Sequence, residues 1–279
     1  MTAKTSFIDI VQHYLESDTI TLPVFSAAAS RIQQELAKKE PNITIIEQVI
    51  TADQSLSTQV LKTANSPFYR GLAEISTVRT AIMRLGIKEV AKIVLMATTK
   101  NTFRCQDKLV KMIMKRLWQH SVGTAYGTVW LCKRHEYGVE QSQAFFAGLF
   151  HDVGKLFILM VIEHIKQQKQ QVRVTPSLMI EAMTKLHTSQ GSKLLEHWNV
   201  PQPFVVVARD HHDLELDQSN TLLLLVRMAS QVCSKLGISP VPAQEIVLPA
   251  TLEASLLNLS ELDLAELEIF LEDNKVLTA

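Results

Sequence analysis

The chain has no excess of charge of either sign. Its 279 residues hold 28 Lys and Arg against 28 Asp and Glu. A general nucleic-acid binder needs a basic surface to release counterions from phosphates, and this balance argues against one. Cysteine is scarce. Cys105, Cys132 and Cys233 are odd in number and far apart in apolar, helical surroundings, so they are expected to be buried free thiols in a reducing compartment rather than a disulfide framework. Nine Gly and nine Pro are too few for a fibrous or low-complexity chain. Long apolar runs are missing as well. The longest uninterrupted one is Leu156–Ile162, against the roughly 18 residues a membrane span requires. Asp9 and Glu16 interrupt any signal-peptide core near the start. These absences together predict a cytoplasmic protein with no membrane partner. No internal repeat and no convincing strand alternation is present.

What the chain does have is helical periodicity, over a composition that is 47% hydrophobic and 20% charged. Phe7, Ile10, Val11, Tyr14 and Leu15 recur at the spacing of one helix face. Pro23 is expected in the first turn of a second helix running to about Lys39. Thr44 and Glu47 have capping-box spacing, which predicts Thr44 as an N-cap. Asp53 is expected to cap the helix carrying Leu56, Val60 and Leu61, which stops near Asn65-Ser66-Pro67. Ser76 or Thr77 opens the next, closed by Gly86. Long helices are expected over 87–103 and 108–135, an apolar one over 144–165, and shorter ones over 177–187, 189–198, 202–212, 220–236, 250–258 and 261–273. Gly154 argues against continuity of the apolar stretch. The fold class is all-α. The expected organisation is an N-terminal helix over 1–17, a helical domain over 18–215 whose first half ends near 105, and a helical extension over 216–279.

Histidine is where chemistry concentrates. Eight of the nine histidines lie beyond residue 105. The sharpest cluster is His151-Asp152-Val-Gly154-Lys155, directly after the apolar run Ala144–Phe150. A carboxylate placed there sits near the core, where it must be paired, hydrogen-bonded or bound to a metal. His120, His187, His211 and His212 fall on other helices whose apolar faces turn to the same bundle, which is how helical bundles assemble metal sites. Imidazole and carboxylate together suit Fe, Mn, Zn or Ni better than an all-oxygen Mg site. A divalent ion so held can polarise a phosphoryl oxygen, and Lys155 can neutralise a phosphate. Taken by itself, the His-Asp pair reads as an ordinary helix terminus, and it is the other histidines that turn the reading toward a metal site.

The remaining candidates have plainer readings. Asn65-Ser66 reads as a helix end followed by a turn. Trp118, Trp130 and Trp198 read as packing residues, His135 and His197 as exposed helix-surface groups, and His164 as a cation near a helix end. Lys111, Lys115 and Arg116 read as a solvated basic face.

The order His120, His151-Asp152-x-Gly154-Lys155, His187, His211-His212 resembles the HD superfamily of metal-dependent phosphohydrolases. The N-terminal half is similar to something narrower. Leu22-Pro23, Asp53-Gln-Ser-Leu56, Leu61-Lys-Thr-Ala64-Asn65-Ser66-Pro-Phe68-Tyr69 and Ala81-Ile-Met-Arg-Leu85-Gly86 resemble the HDOD domain, an HD-related output domain of bacterial signalling proteins. The likeness covers about residues 18–215. It implies an HD-like helical bundle in which His120, His151 and Asp152 take metal-binding positions, with Asp152 and Lys155 as the catalytic candidates in an active member. His187, His211 and His212 are further ligand candidates, as in the related HD-GYP group. Ser230, in Arg227-Met-Ala-Ser230, falls where an active HD protein carries its distal Asp. There is no Gly-Tyr-Pro motif, so the likeness gives no support to cyclic-di-GMP hydrolysis. The resemblance implies a signal-transduction or regulatory module with a partly retained metal site and little turnover, whose partner is a signalling protein or a small-molecule ligand. The alternative is a metal-dependent phosphohydrolase acting on a nucleotide or phosphate ester. The implied cofactor is a divalent ion: Fe, Mn, Zn, Ni or Mg.

Overall fold

A computed structural model describes residues 6–17, 20–36, 38–66, 69, 73–168 and 173–273. Among them every regular element is helical, and the chain divides into two compact units. One comprises Val24–Thr102, the other the chain up to Pro23 together with Phe103–Asp273. The sequence element Pro67-Phe68 lies outside the described residues.

In the Val24–Thr102 unit, α2 (Ala27–Leu36), α4 (Gln54–Ala64) and α5 (Val78–Leu85) pack on α6 (Ile87–Thr102), and α3 (Ile43–Thr51) packs on α2, α4 and α5. Helix α6 is buried almost all round over Val90–Ala97, as expected of a helix apolar on every side. Asp53 caps α4 through a hydrogen bond from the Leu56 amide, and Thr77 caps α5 through Thr80, both as the sequence predicts. Gly86 follows α5 with φ +83, a backbone region that side chains with a Cβ avoid. Asn65 ends α4 and does more than end it. Its side chain receives the Ile75 amide and donates to the Ile75 carbonyl, both at 2.8 Å. This ties the helix end to the chain entering α5.

Two boundaries differ from the sequence reading. Pro23 lies outside α2, which begins at Ala27, where the Ser26 hydroxyl accepts from the Ala29 amide. Asn42, not Thr44, caps α3: it follows Pro41 in extended conformation, and its side chain accepts the Thr44 amide at 2.9 Å. Asn outcompetes Thr at such positions.

In the second unit, α1 (Phe7–Glu16) packs on α9 (Val153–Gln168) and α10 (Pro176–His197). The long helix α7 (Lys108–Arg134) packs on α8 (Gln141–Phe150) and α12 (Thr221–Lys235), and α11 (Gln202–Asp210) bridges α8 and α10. The chain closes through a 3-10 turn at Leu248–Ala250, α13 (Leu252–Leu256) and α14 (Glu261–Asp273). Asp263 and Ser260 cap α14 reciprocally, and Arg134 at the end of α7 pairs with Asp263 at 2.9 Å.

Residues 141–168 are long and apolar enough to cross a membrane by length and composition alone, but 89% of the most apolar window is buried inside the protein. They are core. The helix stops at His151-Asp152 and restarts at Val153, so the discontinuity lies just before Gly154 rather than at it. One helix, α10, replaces the two expected over 177–198. Gln190 and Gly191 in its middle are buried, and packing carries the helix through.

Some smaller expectations need correcting. Only Cys233 is buried; Cys105 and Cys132 are half-buried. His135 is the C-cap of α7, only partly exposed, with Nε2 3.5 Å from Asp263. His164 meets the Tyr14 ring edge-on, with centroids 6.0 Å apart. Lys111, Lys115 and Arg116 are exposed, and the three tryptophans are half-buried, in keeping with a solvated face and packing residues.

Candidate metal centre

The site is built around one carboxylate. All seven residues of Ala144–Phe150 are buried, which drives the C-terminus of α8 into the core. His151 is its C-cap, and Asp152 stands before the first turn of α9, its carbonyl accepting the Lys155 amide. Lys155, one turn on, returns to pair with Asp152 Oδ2 at 2.8 Å.

Four imidazoles face the two oxygens of Asp152. His120 Nε2 lies 3.6 Å and His151 Nε2 3.4 Å from Oδ2. His187 Nε2 lies 3.5 Å and His211 Nε2 3.2 Å from Oδ1. The carboxylate is fully buried and the four imidazoles nearly so. Two ligand groups result, one of His120, His151 and Asp152, the other of Asp152, His187, His211 and His212. His212 sits at the exposed edge, its ring centroid 4.3 Å from that of His211. The structure thus brings together every candidate named from the sequence: His120, His151, Asp152, Lys155, His187, His211 and His212.

The orientation of the rings is specific. Each Nδ1 is tied to a backbone carbonyl: His120 to Ile238 at 2.9 Å, His151 to Gly148 at 2.8 Å, His187 to Met183 at 2.7 Å, and His211 to Val207 and Ala208 at 3.2 and 3.1 Å. A carbonyl only accepts, so Nδ1 carries the proton and Nε2 presents its lone pair inward. Metal-ligating histidines are held in this way. Burial first of all pushes these imidazoles down, His120 to about 3 and His151 to about 4, with His187 and His211 lowered too. They are neutral, the ligand form. Burial by itself would raise the Asp152 carboxyl. Lys155, paired with it at 2.8 Å, is the chief group that outweighs burial, and the carboxyl is held well below the usual carboxylate range.

A metal fits this arrangement on a direct observation. The His151 Nε2 atom is buried with no hydrogen-bond partner, a costly state for a polar atom that a cation among these residues relieves. The cluster could therefore hold a metal ion. On α12, Ser230 Oγ stands 3.2 Å from His120 Nε2, on the Oδ2 side of the centre.

Sequence reasoning missed three supports. The Ile238 carbonyl leaves no trace in residue type. Arg227 was noted only as a neighbour of Ser230, yet it donates to the His211 and Asp213 carbonyls. The third is a contact between small residues. A Cβ on Gly154 would lie 2.0 Å from the His187 carbonyl oxygen and 2.6 Å from the Gly191 amide nitrogen. Backbones of α9 and α10 touch here, two residues from Asp152 and at His187 itself, and this contact sets the distance between those ligands. Gly-x-Gly-type signals were absent because the two glycines lie on different helices.

The family model for the HDOD domain matches residues 22–214. Among curated proteins, the chain is 22% identical over 199 residues to an uncharacterized protein of Treponema pallidum, covering 69% of this chain and 38% of that protein. It is 37% identical over 70 residues to the uncharacterized protein YuxH of Bacillus subtilis, covering 25% of this chain and 17% of YuxH. The chain thus spans well under half the length of either relative. The fold recurs in solved structures. An HDOD domain protein with unknown function from Geobacter sulfurreducens has a TM-score of 0.71 at 20% identity, with 96% of this chain and 94% of that one covered. A protein called "Putative metal-dependent phosphohydrolase" from Shewanella amazonensis has a TM-score of 0.69 at 18% identity, covering 92% and 91%. A "Putative signal transduction protein" from Marinobacter aquaeolei has a TM-score of 0.72 at 20% identity, covering 96% of this chain and 63% of that one.

Proposed function

Since the chain belongs to the HDOD family, we propose that it is a regulatory module of signal transduction that holds a divalent metal at the His/Asp centre and turns over phosphoesters weakly or not at all. The observation that carries this reading is Ser230. A hydroxyl 3.2 Å from His120 Nε2 occupies the place where the HD pattern supplies a carboxylate. A neutral hydroxyl offers a divalent ion far less attraction than a charged oxygen. On this reading His120, His151 and Asp152 hold one ion, and His187, His211 and His212 with Asp152 form a second group able to hold another. Fe, Mn, Zn or Ni suits the imidazole-rich donor set. The partner is a signalling protein or a small ligand, and the protein works in the cytoplasm.

One feature favours the alternative, a metal-dependent phosphohydrolase. The group around Asp152 Oδ1 needs no help from position 230, and Lys155, paired with Oδ2 of the same carboxylate, has its side chain 19% exposed. A divalent ion bound there would supply Lewis-acid polarisation of a phosphoryl oxygen. The protein's own share would be Lys155 neutralising phosphate charge and the buried walls excluding water.

Elemental analysis of protein purified without chelators or a metal-affinity tag separates these readings from a metal-free fold. Near-stoichiometric metal is expected in the wild type and its loss in Asp152→Ala, which removes the carboxylate shared by both groups. Turnover on a phosphoester panel is expected to be near background. Robust turnover abolished by both His151→Ala and Asp152→Ala would decide for the enzyme.

Ser230→Asp probes the same position from the other side. The new carboxylate should add a ligand beside His120, tightening Mn(II) binding. With Mn(II) at one hundred times its dissociation constant, binding stabilises the fold by about 2.7 kcal/mol. In EDTA the same carboxylate is buried without a cation and destabilises. Melting temperatures of both proteins, each with EDTA and with Mn(II), read this out. A variant whose metal-dependent shift is no larger than that of the wild type refutes the assignment of Ser230.

A further inference from the structure

Arg227 lies on α12, three residues before Ser230, but faces the other ligand group. Its Nη1 donates to the His211 carbonyl at 3.1 Å and to the Asp213 carbonyl at 2.9 Å, and its Nε to Glu253 Oε1 at 2.6 Å. His211 is the C-cap of α11, so the guanidinium satisfies carbonyls that a helix end leaves without partners. A cation at that end is favoured by the helix dipole as well. The Arg227 and Glu253 side chains are only 16% and 3% exposed. A buried charge is tolerated only when paired, so Glu253 keeps Arg227 turned inward on the His211 turn. Glu253 belongs to α13, beyond the matched family span of residues 22–214. The other ligand group also draws a support from this later chain, since the Ile238 carbonyl anchors His120 Nδ1.

Resting on the metal-centre reading above, we infer that Arg227 and Glu253 are positioning residues for the ligand group His187, His211 and His212, and that metal affinity of this group depends on the docking of α13. The clamp acts on backbone carbonyls: it fixes the turn that sets where the His211 and His212 rings stand, and it touches no ligand atom. Arg227 suits the task because one planar fork serves two carbonyls and a carboxylate together; a Lys ammonium cannot do so.

The test is Co(II) titration of the full chain, stripped of metal beforehand, followed by visible absorption and calorimetry. His212→Ala marks the step belonging to this group, and His120→Ala the step belonging to the other. Glu253→Gln, nearly isosteric, and Arg227→Lys are each expected to weaken the step that His212→Ala removes by about tenfold or more, the usual effect of losing an outer support. Both should leave the step that His120→Ala removes unchanged, and Arg227→Lys should alter the absorption envelope of the affected step. Equal weakening of both steps, as a general loss of stability would give, overturns the inference. So does unchanged affinity at every step. Uptake of no Co(II) by the wild type overturns the metal-centre reading itself and the inference with it.

Discussion

In EDTA, the protein is expected to unfold cooperatively between about pH 5.5 and 4.5, because four buried imidazoles must each take up a proton. His120, His151, His187 and His211 are neutral in the fold, pushed down chiefly by burial, His120 to about 3 and His151 to about 4. In the unfolded chain each titrates near 6.5. Below that value the unfolded state binds more protons than the folded state, so stability falls as pH falls. Above it the contribution is fully present. Each histidine costs up to about 1.4 kcal/mol per pH unit, and four together more than about 5. A domain stable by about 5–15 kcal/mol does not survive this for long. Asp152 adds nothing in this window, since its carboxyl stays ionised to much lower pH. Circular dichroism against pH, with EDTA present, measures the midpoint and the proton uptake. His187→Gln should make the transition shallower by about one proton. Unfolding only below pH 4, or a slope near one proton in the wild type, would mean that the four rings do not stand neutral and buried.

Gly154→Ala is expected to be among the most damaging single-methyl additions available in this protein. The new Cβ would meet the His187 carbonyl oxygen at 2.0 Å and the Gly191 amide nitrogen at 2.6 Å. Both are backbone atoms of α10, so no side chain can rotate away and the two helices must part. Overpacking ordinarily costs about 1–3 kcal/mol; here the upper end or more is expected, because the obstruction is rigid. Gly191→Ala is the internal control. Its Cβ would lie 3.2 Å from the Gly154 amide nitrogen and 3.7 Å from Val153 Cγ1, which a few tenths of an ångström of give would relieve, and about 1 kcal/mol is expected. Urea denaturation of the two variants compares them directly. Parting α9 from α10 also moves His187 away from Asp152, so Gly154→Ala should lose metal affinity as well. Equal and small effects in both variants would refute the close contact.

The helices were legible in the sequence because burial here follows a 3.6-residue period. In α4 and α5, Asp53 and Thr77 carry side chains that cap, and Gly86 takes the backbone that ends a helix. Legibility failed where packing overrode local signals. The residues around 188 look like a break between two short helices, yet α10 runs through because Gly191 is pressed against α9. At α3 two capping patterns competed, and the residue after a proline won. The ligand side chains were legible because His and Asp are unusual next to apolar runs. Their supports were not. A carbonyl such as that of Ile238 belongs to every residue type, and the role of Arg227 depends on a turn sixteen residues away being folded over it.

The four ring anchors differ in when they become available. Three imidazoles lean on carbonyls three or four residues back in their own helices, Gly148, Met183, and Val207 with Ala208. Those rings take their orientation as soon as a single turn has formed. His120 instead waits for Ile238, 118 positions downstream. During synthesis from the N-terminus, at roughly 5–20 residues per second, His120 is made long before the atom that orients it. The rings on the Oδ1 side of Asp152 can therefore be oriented early, whereas His120 on the Oδ2 side waits for residue 238 and the clamp on the His211 turn waits for Glu253. A chain cut short before Ile238 would lack the anchor of His120 on one side and the Glu253 end of the Arg227 clamp on the other.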